Sequence, residues 1–123
     1  MSKVVAVIGA SGNRGKFGNR AVRAFKQQGY TVVPINPHET EVEGLKAYAS
    51  VLDVPGAIDM ASLYVPPDIG EQVIAEIAQK GIAEVWLNPG AESDELIARA
   101  QALQIQPIVA CSIVAIGENP YRL

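Results

Sequence analysis

A run of apolar, mostly β-branched residues, Val4 to Ile8, ends at Gly9 and passes directly into Gly9-Ala10-Ser11-Gly12-Asn13-Arg14-Gly15. An uninterrupted apolar run of this length is what a strand buried on both faces of a parallel sheet requires. After the loop the period changes. From Asn19 to Gln28 the residues Ala21, Val22 and Phe25 fall on one helical stripe, Arg20, Arg23 and Lys26 fall elsewhere, and Gly29 supplies the stop. Thr31 to Ile35 then predicts a second strand, broken by Asn36-Pro37. Strand, glycine-rich loop, helix and strand within about 35 residues form a βαβ unit of the kind that binds nucleotides. In that setting the glycines bring backbone N–H groups close to phosphate oxygens, and the following helix adds the positive end of its dipole. Ser11 offers a hydroxyl donor, and Arg14 and Lys16 offer positive charge. The plainer alternative is an ordinary tight strand-to-helix turn.

The alternation continues. Ile58 to Val65, Glu84 to Leu87 and Pro107 to Ala110 predict strands. Pro67 to Gln79 predicts a helix with Ile69, Val73, Ile74 and Ile77 inward, and Ser93 to Leu103 a helix with Leu96, Ile97, Ala100 and Leu103 inward. Between Glu39 and Gly56 the pattern is weakest, with a short edge strand over Gly44 to Ala47 and a helical turn over Ser50 to Asp53 capped by Ser50. The expected fold is a single α/β domain over residues 1–123, doubly wound and Rossmann-like, with a mainly parallel sheet and helices on both faces. Ligands of such sheets bind at the carboxyl ends of the strands. Those ends carry Asn36-Pro37, Val65-Pro66-Pro67, Asn88-Pro89-Gly90 and Ala110-Cys111-Ser112, where proline gives rigid walls suited to a flat or extended ligand.

Charge sharpens the expectation. The first 38 residues carry +6 and the remainder −9, which points to an anionic ligand near the N-terminal third. Arg23 and Lys26 also fit a solvated helix face. The acidic overall balance and the scarcity of aromatics among the basic residues argue against nucleic acid. No apolar stretch approaches the roughly 20 residues that span a bilayer, and no leader-like segment opens the chain, so a membrane association is not expected and a cytoplasmic protein is. One cysteine and one histidine exclude an intramolecular disulfide and make a metal site improbable.

Taken together, the segments Gly9-Ala10-Ser11-Gly12-Asn13-Arg14-Gly15-Lys16-Phe17-Gly18, Val33-Pro34-Ile35-Asn36-Pro37, Tyr64-Val65-Pro66-Pro67 and Val85-Trp86-Leu87-Asn88-Pro89-Gly90 resemble the small stand-alone CoA-binding domain proteins. These are related to the CoA-binding domain of the succinyl-CoA synthetase α subunit. The resemblance implies coenzyme A or an acyl-CoA as ligand. It places the phosphates over Ser11, Gly12, Asn13 and Arg14, with Gly9 and Ala10 entering the loop and Lys16, Phe17 and Gly18 on its far side. The adenine would lean on Val65, Pro66 and Pro67, Asn36 and Pro37 would border the nucleotide, and Asn88, Pro89 and Gly90 would face the pantetheine. No catalytic residue is implied, because the synthetase's phosphorylated histidine belongs to a second domain. A protein partner or a homo-oligomer stays open.

Other functions compete. Gly9, Gly12 and Gly15 also resemble the loop of NAD(P)-dependent short-chain dehydrogenases, but Asn36-Pro37 stands where an acid would hold the ribose, and no Tyr has a Lys four residues later. A regulatory protein that senses CoA and signals to a partner is compatible with binding. A hydrolase is poorly supported, since His38 lies beside Glu39 in a loop. Cys111 is either a small buried residue or a neighbour of the CoA thiol, able to form a mixed disulfide. Trp86 and Phe25 read as core.

Overall fold

The computed structural model describes residues 2–123. Strand β1 (Val4–Ile8) leads through the glycine loop into α1 (Phe17–Gln27) and β2 (Thr31–Ile35). A tight antiparallel hairpin, β3 (Glu41–Val42) and β4 (Leu45–Lys46), and a 3-10 turn at Val51–Asp53 follow. Then come β5 (Met60–Leu63), α2 (Pro67–Lys80), β6 (Glu84–Leu87), α3 (Asp94–Ala102), β7 (Ile108–Val109) and α4 (Ser112–Ala115), with a 3-10 turn at Pro120–Arg122.

The five long-range strands form one parallel sheet in the order β2-β1-β5-β6-β7. Beyond β2, Tyr48 makes a single parallel bridge to Ile35, donating its N–H to Pro34 and accepting from Asn36. The sheet thus reads as a doubly wound order whose outer strand on that side has shrunk to one residue. The side chains alternate across it as the strand period demands. Ala6 and Ile8 pack with Leu63, Ile74, Ile77, Leu87 and Leu96 on the α2–α3 face. Val5 and Val7 pack with Ala21, Val22, Phe25, Met60 and Ile113 on the α1–α4 face. Both layers are built of buried side chains, and at roughly 25 cal/mol per Å² of buried apolar surface they supply most of the driving force for the fold.

Local chemistry sets the boundaries. In α2, Pro67 occupies the first turn and Gly81 takes the left-handed conformation at the end, with φ +83°. Ser93 caps α3 by accepting from the Leu96 N–H at 3.0 Å, and Ser50 caps its turn by accepting from Leu52 at 3.1 Å. Several expectations shift. Helix α1 starts at Phe17 rather than Asn19, and the ladder of β5 begins at Met60, two residues inside the apolar run. Strand β7 is only two residues long, because it is a sheet edge paired solely to Trp86 and Leu87. Ile69 and Leu103, expected inward, are exposed: Ile69 lies in the first turn of α2, and Leu103 lies past the last turn of α3. Among the described residues no helix is long and apolar enough to cross a membrane.

Candidate functional site

The carboxyl ends of β1, β5, β6 and β7 frame a cleft of about 730 Å³. From the first loop, Gly9, Ser11, Lys16, Phe17 and Gly18 line it. From the ends of β2 and β5 come Asn36, Tyr64, Val65 and Pro66, and from the end of β6 come Asn88, Pro89, Gly90 and Ala91. Cys111, Val114, Pro120 and Tyr121 close the side beyond β7. A second hollow of about 430 Å³ continues past Gly9, Asn36 and Val65, which both share, to Pro37, His38, Ile69, Gln72 and Val73. Together they make a groove crossing the gap between β1 and β5, where the strand order reverses.

Most of the expected site residues meet in this groove, but not all. Gly12, Asn13 and Arg14 line neither hollow, and neither does Pro67. Ala10 is fully buried beneath the loop. Lys16 and Phe17 face the same cleft as Ser11 rather than lying on the loop's far side. The sequence marks Tyr64 only as part of the Tyr64-Val65-Pro66-Pro67 segment, without a role in the site, and Ala91, Val114, Pro120 and Tyr121 were not expected there. Only Tyr64 left a signal, as an aromatic at the end of a strand interior that already contains Ser62; the others sit on elements too short to have a period.

The close approach of loop and helix depends on two glycines. A Cβ at Gly18 would stand 2.1 Å from the Gly9 carbonyl oxygen. At Gly9 (φ +91°) it would stand 2.7 Å from the Tyr64 carbonyl oxygen. The N-cap residue of α1, Lys16, makes no side-chain capping bond, and the first turn holds no acid. The first-turn amides of Phe17 and Gly18 therefore have no partner within the helix and stand at the cleft wall.

Three amides of the loop find partners within it. Asn13 N–H donates to Ser11 Oγ at 3.0 Å, Gly15 N–H to Asn13 Oδ1 at 3.0 Å, and Lys16 N–H to the Asn13 carbonyl at 3.1 Å. The Gly12 N–H donates to both carboxylate oxygens of Glu39, at 2.8 and 3.0 Å. The β3–β4 hairpin supplies a second acid. Glu43, whose φ of +50° lets the chain reverse beside Gly44, accepts from Arg14 at 2.7 Å and from Asn19 at 3.1 Å. The Asn19 bond, with Arg14 and Arg23 near, holds the Glu43 carboxyl below its ordinary range even though burial opposes this. Arg23 donates to Asn19 Oδ1 and the Arg14 carbonyl, and Lys26 to the Glu43 carbonyl. Much of the basic N-terminal third is therefore spent inside the molecule.

At the β6 end the floor of the cleft is a buried polar network. Asn88 Nδ2 donates to Ser62 Oγ at 2.8 Å and to the Leu63 carbonyl at 2.9 Å, while its Oδ1 accepts from Ser112 N at 2.8 Å and Ser112 Oγ at 3.0 Å. Because Oδ1 only accepts, the single hydroxyl proton of Ser112 points to it. Ser62 at 2.8 Å and Tyr64 at 2.9 Å must then both donate to Ser112 Oγ. Every proton in the cluster has one place, and Tyr64 must be neutral to hold its own. Burial pushes its phenol up to about 12. The network ties β5, β6 and the start of α4 together, fixing the Asn88–Gly90 corner and Cys111 at the wall.

The sequence pattern of the family described as "CoA binding domain" matches residues 3–117. Over 95 residues the chain is 48% identical to an ADP-forming acetate–CoA ligase II of Archaeoglobus fulgidus, covering 76% of this chain and 14% of that protein. The chain thus spans about one seventh of the length of that curated relative. Among solved structures, a conserved hypothetical protein from Pyrococcus furiosus superposes with a TM-score of 0.85 at 34% identity, covering 94% of this chain and 99% of that one. A dinucleotide-forming acetyl-coenzyme A synthetase 1 of Candidatus Korarchaeum cryptofilum, in complex with phosphate and ADP, superposes at 0.78 with 31% identity, covering 88% and 25%.

Proposed function

Because the chain belongs to the CoA binding domain family, we propose that its groove holds coenzyme A or an acyl-CoA and that the chain binds this ligand without catalytic groups of its own. The observation that carries this reading is the coincidence of three features at one cleft wall: the uncapped first turn of α1, the Lys16 ammonium and the Ser11 hydroxyl. Unpaired amides at a helix N-terminus, a cation and a hydroxyl suit a pyrophosphate. In this placement the pyrophosphate lies against Ser11, Lys16, Phe17 and Gly18 rather than over Gly12, Asn13 and Arg14. The adenine occupies the smaller hollow beside Pro37, Val65 and Ile69, with Asn36 and Pro66 at its border. The pantetheine runs along Asn88, Pro89 and Gly90 toward Cys111. Its thiol then ends near Val114 and Tyr121, with open space beyond for an acyl group.

Titration calorimetry of CoA, acetyl-CoA, NAD and NADP against one preparation tests the reading. CoA is expected to bind most tightly among CoA, NAD and NADP, and to raise the thermal midpoint most at equal concentration, since a ligand of the folded state stabilises it by mass action. Lys16→Ala should weaken CoA binding about fivefold and flatten its salt dependence. Tighter binding of NAD or NADP, or an unchanged affinity in Lys16→Ala, would overturn it.

A further inference from the structure

Three of the eight exposed large apolar side chains among the described residues, Phe17, Val114 and Tyr121, line a single cleft. Apolar surface left open to water singly is ordinary, but gathered in one concave site it marks a place that a ligand covers. The three stand on separate elements, α1, α4 and the Pro120–Arg122 turn, and the turn is fastened in place. Gly117 (φ +90°) leads the chain out of α4, and the Glu118 N–H donates back to the Ile113 carbonyl at 3.1 Å. Asn119 caps the turn by accepting from the Tyr121 N–H at 2.9 Å, and Arg20 ties it to α1 by donating to the Pro120 carbonyl at 3.1 Å. Arg20 also lies over the Phe17 ring at 5.1 Å, and that ring meets the Tyr121 ring nearly at right angles at 6.4 Å. Tyr121 is nonetheless 82% exposed, so most of its side chain is open to contact. Charge is scarce at this end. Between Arg99 and Glu118 the chain holds no charged residue, and the one cation lining the cleft, Lys16, belongs to the wall assigned above to the pyrophosphate. The turn that carries Tyr121 lies beyond residues 3–117, to which the family pattern extends.

We propose that Tyr121, together with Val114, is a specificity-determining residue that reads the acyl group, favouring an uncharged chain of several carbons over an acetyl group or one that ends in a carboxylate. The proposal rests on the CoA reading, which ends the thiol near these two side chains, and deepens it. Acyl carbons laid against Val114 and Tyr121 take apolar surface out of water. A terminal carboxylate brought to the same place loses hydration and meets no cation in return.

Acetyl-CoA, butyryl-CoA and succinyl-CoA, with free CoA as reference, are titrated calorimetrically into the wild-type chain, Tyr121→Ala and Tyr121→Phe. A methylene moved fully from water into apolar contact is worth about fourfold in affinity, and one half covered in an open cleft about twofold. Butyryl-CoA, two methylenes longer than acetyl-CoA, should therefore bind the wild type about fourfold more tightly. Succinyl-CoA, as long as butyryl-CoA but charged at its end, should gain nothing over acetyl-CoA. In Tyr121→Ala the butyryl-to-acetyl ratio should fall below about twofold, whereas Tyr121→Phe, which keeps the ring, should retain it. No butyryl preference in the wild type, an unchanged ratio in Tyr121→Ala, or succinyl-CoA binding as tightly as butyryl-CoA would overturn the proposal while leaving CoA binding in place. Failure of the wild-type chain to bind any of the four would instead remove the CoA reading and this proposal with it. A thermal melt of each variant checks that it is folded before titration.

Discussion

Gly18→Ala isolates the contact on which the cleft wall is built. The added methyl would lie 2.1 Å from the Gly9 carbonyl oxygen, 3.0 Å from its carbon and 3.3 Å from Ala10 Cα. Carbon–oxygen contacts settle near 3.3 to 3.6 Å, so helix and loop must part by more than about 1 Å. Neither partner yields easily. All three atoms in the way are backbone, and tilting α1 would unseat Ala21, Val22 and Phe25, which are fully buried. Overpacking of this kind costs about 1 to 3 kcal/mol or more, against a helix-propensity gain of at most about 1 kcal/mol for alanine over glycine. A net loss of about 2 kcal/mol corresponds to a midpoint lowered by about 6 to 10 °C in a domain of this size. Gly70→Ala is the matched control. Its Cβ meets Leu96 Cδ2 at 2.8 Å, the rotatable end of a side chain, so the clash and the propensity gain should nearly cancel and the midpoint move by no more than about 3 °C. Thermal melts of the three proteins decide, with CoA titration of Gly18→Ala as a second readout expected to show a clear loss. A Gly18→Ala midpoint at or above the wild type, or equal shifts for the two variants, would refute the reasoning.

Asn88→Ala removes four hydrogen bonds from a buried cluster and takes away the partner of the Ser112 amide; a loss of about 3 kcal/mol or more, read by urea unfolding, is expected, and a cost below about 1 kcal/mol would mean that water replaces the side chain. Tyr64 titrates at about 12 in the folded chain against about 10 in an unfolded one, so its stabilising contribution is complete below pH 10 and is lost as pH rises from about 10 to 12. Tyr64→Phe should therefore lose less stability than the wild type across that window, and parallel pH profiles of the two proteins would contradict the burial-raised phenol.

The βαβ core was legible because its signals are long and redundant. Val4 to Ile8 and Thr31 to Ile35 are apolar runs bounded by glycine, tyrosine and Asn-Pro, and both strands occupy those residues. Pro67 and Ser93 announced two helices by mechanisms that act within one turn. What escaped was short. Helix α4 and the Pro120–Arg122 turn are four and three residues long, below any helical period, yet they supply Val114, Pro120 and Tyr121 to the cleft. The hairpin escaped in part for a similar reason. Its arms are two residues each, and the expected edge strand over Gly44 to Ala47 merged the turn with the second arm.

Charge shows a different kind of limit, because it is pairwise and the sequence records only single members. Six cations before the first acid looked like an address for an anionic ligand. Folding brings Glu39 and Glu43 back across the same surface, and Arg14, Arg23 and Lys26 bond to the hairpin or to one another's backbone. Arg20 stacks on Phe17 and donates to the Pro120 carbonyl. Lys3 precedes β1, at the end of the sheet away from the groove. Lys16 alone of the six lines the cleft. Attraction for an anion there comes from one ammonium and the amide dipoles of the first turn. The dipoles act only within the first turn, and both they and the ammonium are screened by salt, the ammonium over about 8 to 10 Å at ordinary ionic strength. On the proposed reading, the groove would select its ligand mainly by fit along the strand ends, with one ammonium and the first-turn amides as its attraction for an anion.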